Sequence, residues 1–161
     1  MDEFTKALLS GESKIPDNDD WFKPLLGDWQ FEYFDISGRN AQGEWFFRRT
    51  LDGNAIEDIF ICPSRATAAT NPQPDGEYGA AIRMYRKDMH CYDMTYITDR
   101  FTVRLTVTKN NERIECKVNS SAEKWVFSEI SENTFVWNNI TVLDDETEKI
   151  NATVHAERLK D

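Results

Sequence analysis

The chain has 161 residues, 40% of them hydrophobic and 12% aromatic, with a formal net charge of −10. This length suits a single domain (1–161) around one hydrophobic core, and the composition excludes a disordered chain or a coiled coil. The negative charge repels phosphate backbones and anionic headgroups, so we expect no nucleic acid and no membrane among the partners.

The N-terminus and the cysteines predict a reducing compartment. The opening MDEFTKALLSGESK lacks the basic start and apolar run of a secretory signal, which predicts a cytoplasmic location. Cys62, Cys91 and Cys116 are odd in number and widely spaced, so reduced thiols are expected. Zinc-ligand, phosphate-loop and dinucleotide motifs are absent from the sequence, and we therefore expect no metal and no cofactor.

In chain order, the elements begin with helix and continue as strands. Residues 3–10 predict a short helix, and 17–26 predict a second helical turn, so that 1–26 form a helical N-terminal segment. From 27 to 159 the pattern is β. The clearest strand is FTVRLTVT at 101–108, where apolar and polar residues alternate strictly. Similar segments, about ten strands in all, recur at 28–36, 44–51, 54–62, 78–86, 90–98, 112–119, 123–130, 134–143 and 148–158.

The connections between these segments predict how the strands are arranged. Most are short turns, which can join only antiparallel neighbours. Such a meander favours an all-β, closed, antiparallel up-and-down barrel over a sandwich, and a barrel of this size encloses a cavity for one small ligand. The long connection 63–77 contains three prolines and no periodicity, and we expect it at one barrel mouth.

Several short runs resemble a family of uncharacterised bacterial lipocalin-like (calycin) barrel proteins. They are LLGDW at 25–29, LDG at 51–53 followed by AIED at 55–58, IRMY at 82–85, and Phe135 and Trp137 ahead of AER at 156–158. The resemblance covers about residues 21–158 and implies a closed barrel with an internal pocket. This chain departs from the family pattern at Tyr92 and Tyr96, where tryptophans are expected.

The Asp52-Gly53 turn predicts the register of one hairpin. A two-residue turn there pairs Arg49 with Ile56, Phe47 with Asp58, and Trp45 with Phe60, all on one face. On the other face, Arg48 opposite Glu57 is expected to form a surface pair. The aromatic-rich face is the candidate interior, which places Arg49 and Asp58 inside the barrel.

An internal arginine needs an oxyanion partner, so Arg49 is a candidate for binding a ligand carboxylate while Asp58 orients it. The alternative is a structural pair that closes the barrel end. Arg83 and Tyr85 share one face of segment 78–86 and Ile82 and Met84 the other, and the sequence leaves open which face points inward. The remaining candidate pocket residues are aromatic: Trp29, Phe31, Tyr33, Trp45, Phe47, Tyr92 and Tyr96.

The function that these features predict is binding of one small hydrophobic or aromatic ligand, with or without a carboxylate, in the barrel cavity. A second hypothesis is an enzyme that performs a cyclisation, isomerisation or decarboxylation there. Asp58 or a tyrosine would then act as general acid/base, with Arg49 as the electrostatic partner. A third is an interaction domain, for which exposed Phe46 and Trp125 would mark the contact face, including that of a homodimer.

Overall fold

The computed structural model describes residues 1–160 and contains a closed antiparallel barrel of ten strands. Strands that are consecutive in the chain are neighbours around the barrel, and the first strand pairs with the last. This confirms the predicted up-and-down barrel. The strands are β1 (Gly27–Asp35), β2 (Asn40–Thr50), β3 (Ala55–Cys62), β4 (Glu77–Arg86), β5 (Cys91–Ile97), β6 (Thr102–Asn110), β7 (Arg113–Val118), β8 (Glu123–Ser128), β9 (Thr134–Val142) and β10 (Glu148–Arg158).

In the part of the chain that the structure describes, helix is confined to the N-terminal segment, as predicted. Helix α1 spans Glu3–Leu9, and single 3-10 turns follow at Asp17–Asp19 and Lys23–Leu25. The carboxylate of Asp2 caps α1 by accepting a hydrogen bond from a backbone amide of its first turn. Within residues 1–160, no helix has the length and apolarity needed to cross a membrane.

The barrel closes where β1 meets β10. The pairing runs from Trp29 opposite Arg158 to Asp35 opposite Ala152. With this ladder complete, every strand has a partner on both sides and no edge is left to pair with another chain.

The hairpin between β2 and β3 has the predicted register. Arg49 lies opposite Ile56, Phe47 opposite Asp58, and Trp45 opposite Phe60. Gly53 in the turn has a φ of +78°, and a Cβ there would lie 1.7 Å from the carbonyl oxygen of Glu12. The glycine therefore lets the N-terminal segment run directly across the hairpin.

One end of the barrel is filled by the N-terminal segment. Phe22 is fully buried there, with its ring centroid 5.4 Å from that of Tyr92 and 5.9 Å from that of Phe127. The indole Nε1 of Trp29 donates to the carbonyl of Leu25 at 2.8 Å, which fixes the second 3-10 turn against the first strand. We call this packed half the closed end.

Arg49 and Asp58 both point inward, but each has a partner that the sequence did not predict. The guanidinium of Arg49 donates to both carboxylate oxygens of Asp20, at 3.1 and 2.9 Å, and Asp58 pairs with Arg83. The strand register fixes the face of Arg49, whereas its partner depends on the path of the N-terminal segment beneath the barrel. Arg49 therefore belongs to the closed end.

The expected surface pair on the outer face of this hairpin is also corrected. Arg48 lies opposite Glu57 in the ladder, yet its guanidinium pairs with Asp28 on β1, at 2.7 Å. A long side chain reaches sideways to the neighbouring strand as easily as it reaches the residue opposite.

Replacing Arg49 with Met is expected to lower the free energy of unfolding by about 3 kcal/mol, because it leaves the buried carboxylate of Asp20 without its cation. Arg48→Met is the matched control. Its ion pair is exposed, so we expect a loss below about 1 kcal/mol. Urea unfolding of both variants measures the difference, and equal losses would show that the Arg49 pair does not hold the N-terminal segment.

Candidate functional site

The open half of the barrel contains a cavity of about 360 Å³. This volume falls in the range of roughly 300–1,000 Å³ that is typical of small-ligand sites. Three of the inward positions at this level are alanines, Ala41, Ala81 and Ala152. At the closed end, by contrast, inward positions carry large side chains such as Phe47 and Phe135. Small inward residues therefore create the cavity.

Eight aromatic side chains line the cavity. Trp45 is central, with its ring centroid 4.9 Å from that of Phe60 and 6.0 Å from that of Trp137. Trp125 extends the wall, at 5.4 Å from Tyr96 and 6.2 Å from Trp137. The aromatic residues that line the cavity are Tyr33, Trp45, Phe60, Tyr96, Phe101, Trp125, Phe127 and Trp137.

A buried ion pair between Asp58 and Arg83 forms the cavity floor. Both side chains are only 1% exposed, and the indole Nε1 of Trp45 donates to the second oxygen of Asp58 at 2.9 Å. On the side facing the closed end, the guanidinium lies over the ring of Phe22, 4.7 Å from its centroid. The Nε of Arg83 has no hydrogen-bond partner. The floor is thus charge-balanced and retains one unused donor.

A hydrogen-bonded pair of Tyr96 and Glu77 lies higher in the cavity. The phenol of Tyr96 donates to Glu77 at 2.7 Å, and it fits there because residue 79 is glycine, where a Cβ would lie 2.6 Å from the phenol oxygen. Burial raises the pKa of Glu77, and the hydrogen bond from Tyr96 offsets part of that rise. Burial also raises the pKa of Tyr96. The pKa of the Glu77 carboxyl is therefore raised above its ordinary value.

At the mouth, further polar groups surround the opening. Glu123 accepts hydrogen bonds from Trp125 Nε1 at 2.6 Å and from Asn139 Nδ2 at 2.9 Å. Arg39 pairs with Asp35 on one side and with Asp75 on the other. Asp75 belongs to the long loop, which also contributes Gln73 and Gly76 to the lining. This confirms that the loop lies at one barrel mouth.

The structure brings half of the predicted site residues together. Those that line the cavity are Tyr33, Trp45, Asp58, Arg83 and Tyr96. Those that do not are Arg49, Trp29, Phe31, Phe47 and Tyr92. Tyr92, for example, donates from its phenol to the carbonyl of Asp19 in the N-terminal segment. The alternation of apolar and polar residues along a strand predicts which face a residue occupies, but it does not predict the position of that residue along the barrel axis.

The structure shows which way Arg83 on β4 and Trp125 on β8 point. Arg83 faces inward and is 1% exposed, so Ile82 and Met84 take the outer face. Trp125 lines the cavity and is therefore not available as an outer contact face. Phe46 is partly buried, with the guanidinium of Arg65 5.5 Å from its ring centroid.

Three polar residues that line the cavity were not predicted from the sequence: Glu77, Glu123 and Cys62. Glu77 had a usable signal, because it alternates with Gly79, Ala81 and Arg83 and so shares their face once Arg83 is known to point inward. Cys62 lines the cavity as a free thiol, and burial raises its pKa to about 12. It therefore stays protonated at neutral pH and is a poor nucleophile or metal ligand.

The described residues contain no group of three or more His, Cys, Asp or Glu side chains that could hold a metal ion. The side chains that line the cavity can offer hydrogen bonding, charge, aromatic contact and proton transfer.

Replacing Tyr96 with Phe is expected to raise the pKa of Glu77, because the phenol stabilises the ionised carboxylate that burial disfavours. Titration of the glutamate carboxyl carbons by ¹³C NMR measures this shift. Tyr92→Phe is the control, since it removes a phenol at the closed end and should leave Glu77 unchanged. An unchanged or lowered pKa of Glu77 in Tyr96→Phe would contradict the role assigned to the phenol.

Comparison with known proteins identifies the fold. No protein-family model and no curated protein matches the sequence. Among solved structures, the chain is similar to Rv2717c from M. tuberculosis, with a TM-score of 0.56 at 9% identity over 91% of this chain and 100% of that one. It is also similar to the S-type phycobiliprotein lyase CPES from Guillardia theta, with a TM-score of 0.54 at 10% identity over 89% and 93% of the two chains. These likenesses show the fold alone, a closed lipocalin-like barrel.

Proposed function

We propose that the barrel binds one small, mostly apolar ligand in its open half. The observation that supports this is the contrast between the two ends, since the N-terminal segment fills one end and a cavity of about 360 Å³ with aromatic walls remains at the other. Cavities of this kind, mostly apolar with a few polar groups, are typical small-ligand sites.

The driving force is the removal of water from the ring faces. Burial of apolar surface contributes about 25 cal/mol per Å². The cavity residues are held by their own packing, as in the contact of Trp45 with Phe60 and Trp137, so little ordering is required when a ligand enters.

Charge balance argues against a carboxylate on this ligand. Arg49, the residue expected to bind one, pairs with Asp20 outside the cavity. Inside, Arg83 pairs with Asp58, and Arg39 is shared between two carboxylates. Each arginine at the cavity already has an anion, so a second anion would compete with an existing pair.

The alternative function is an enzyme that uses the same cavity for a cyclisation, isomerisation or decarboxylation. The observation that favours it is the hydrogen-bonded pair of Tyr96 and Glu77, which is able to give and take a proton beside a ligand. Asp58 is a poorer candidate for the base, because Trp45 and Arg83 occupy its two oxygens.

Membership of the bacterial lipocalin-like family, a cytoplasmic location and a homodimer stay predictions. The same holds for the absence of nucleic acid and membrane partners, which rests on the net charge of −10.

A neutral hydrophobic fluorophore tests ligand binding. We expect one molecule of N-phenyl-1-naphthylamine to bind per chain. Binding should increase the fluorescence of the dye and decrease the fluorescence of Trp45, Trp125 and Trp137. Ala81→Phe should abolish binding, because residue 81 lines the cavity and is 1% exposed. Ala80→Phe places the same ring on the outer face of β4 and should leave binding intact.

Circular dichroism shows whether Ala81→Phe remains folded. If it does not, Ala152→Leu fills the cavity from the opposite wall and replaces it in the test. Equal binding by the inner and outer variants would place the fluorophore on the surface and refute the proposed cavity site.

A further inference from the structure

The charges that line the cavity do not balance. Two are positive, Arg39 and Arg83, and four groups are acidic, Asp58, Asp75, Glu77 and Glu123. Arg83 is paired with Asp58, and Arg39 with Asp75 and with Asp35 behind it. Two carboxyl groups are left over.

These two carboxyl groups, Glu77 and Glu123, receive hydrogen bonds but no ion pair. Tyr96 donates to Glu77, and Trp125 and Asn139 donate to Glu123. Among residues 1–160, no Lys, Arg or His nitrogen lies within 4.0 Å of either carboxylate. Hydrogen bonds of this kind hold a carboxylate in place while leaving its charge uncompensated.

Aromatic side chains line the cavity beside these carboxyl groups. Tyr96 and Trp125, which donate to Glu77 and Glu123, also lie against each other at 5.4 Å between ring centroids, and Trp137 adjoins Trp125. Ring faces attract cations through their quadrupole, and clusters of them bind amines and quaternary ammonium groups. Uncompensated carboxyl groups and ring faces both favour a positively charged ligand.

The two ends of the cavity differ in a way that orients such a ligand. The floor is the buried ion pair of Arg83 and Asp58, whose charges neutralise each other and leave no free carboxylate there for a cation. The positive group therefore belongs near Glu77 and Glu123, with the apolar part of the ligand extending past Trp45 and Phe60 towards the floor.

We propose that the ligand of this barrel is an organic cation, an amine or quaternary ammonium compound with an apolar body. This inference rests on the proposed function, because it names the class of ligand for the same cavity.

Three probes that share one skeleton test the sign of the charge. They are 4-phenylbutylamine, 4-phenylbutanol and 4-phenylbutanoate, which at pH 8 are cationic, neutral and anionic. Each competes with bound N-phenyl-1-naphthylamine, and loss of the fluorescence of that dye reports the affinity. We expect the amine to bind at least about tenfold more tightly than the alcohol, and the carboxylate to bind most weakly.

The outcomes separate the two proposals. If the dye binds but the amine is no better than the alcohol, or the carboxylate is the tightest probe, the cation assignment is overturned while the cavity proposal stands. If the dye itself fails to bind in the cavity, the proposed function is wrong.

Variants that remove single charges test which carboxyl groups bind the amine. Glu77→Gln and Glu123→Gln should each weaken the amine about tenfold and leave the alcohol unchanged. Glu57→Gln is the matched control, because it removes the same charge from the outer face of β3 and should change neither probe. If all three variants weaken the amine equally, the effect comes from the net charge of the protein, and the assigned site is wrong.

The pH dependence of amine binding distinguishes a loss of charge from a loss of packing in these variants. Burial raises the pKa of Glu77, so its carboxyl group keeps its proton to a higher pH than an exposed glutamate does and ionises as the pH rises. The groups that act on it are Tyr96 from β5, Asp75 from the loop, and the more distant guanidiniums of Arg39 and Arg100. The thiol of Cys62 lies opposite it on β3. Between pH 5 and 8, amine affinity should increase with pH, alcohol affinity should not, and Glu77→Gln should abolish the slope. A slope that survives in Glu77→Gln would contradict the assignment.

Discussion

The ion pair of Arg83 and Asp58 divides this barrel into its two halves. A charge with 1% exposure is tolerable only with a partner, and Asp58 receives hydrogen bonds from both Arg83 and Trp45. On its other side the guanidinium contacts the rings of Phe22, Phe47 and Phe127, which come from the N-terminal segment, β2 and β8. The pair thus ties the packed end together and closes the floor of the cavity.

Strand positions and one hairpin register could be predicted from the sequence because both depend on local rules. Alternation gives the faces of a strand, and the Asp52-Gly53 turn fixes which residues of β2 and β3 lie opposite each other. The inward or outward direction of Arg83 could not be predicted in this way. The long loop before β4 does not determine how β4 pairs with β3, and both faces of β4 contain apolar residues.

The depth of a residue along the barrel axis was the information that the sequence did not provide. Phe47 and Trp45 share a face, yet Phe47 is in the closed end and Trp45 lines the cavity. The difference depends on where Phe22 and Leu25 of the N-terminal segment insert into the barrel. That insertion is a feature of the tertiary structure, and the segment has no hydrophobic periodicity from which it could be predicted. The same insertion gives Arg49 its partner in Asp20 and so removes it from the ligand site.

The cavity in the open half follows from the same asymmetry. Filling both ends would require large side chains at Ala41, Ala81 and Ala152, and the chain has alanine at each of them. The aromatic rings around that space consequently face water whenever no ligand is present, and a ligand that covers them recovers the hydrophobic stabilisation that the fold leaves unused. Because the floor charge is already neutralised, the two uncompensated carboxyl groups, Glu77 and Glu123, determine which charge that ligand carries.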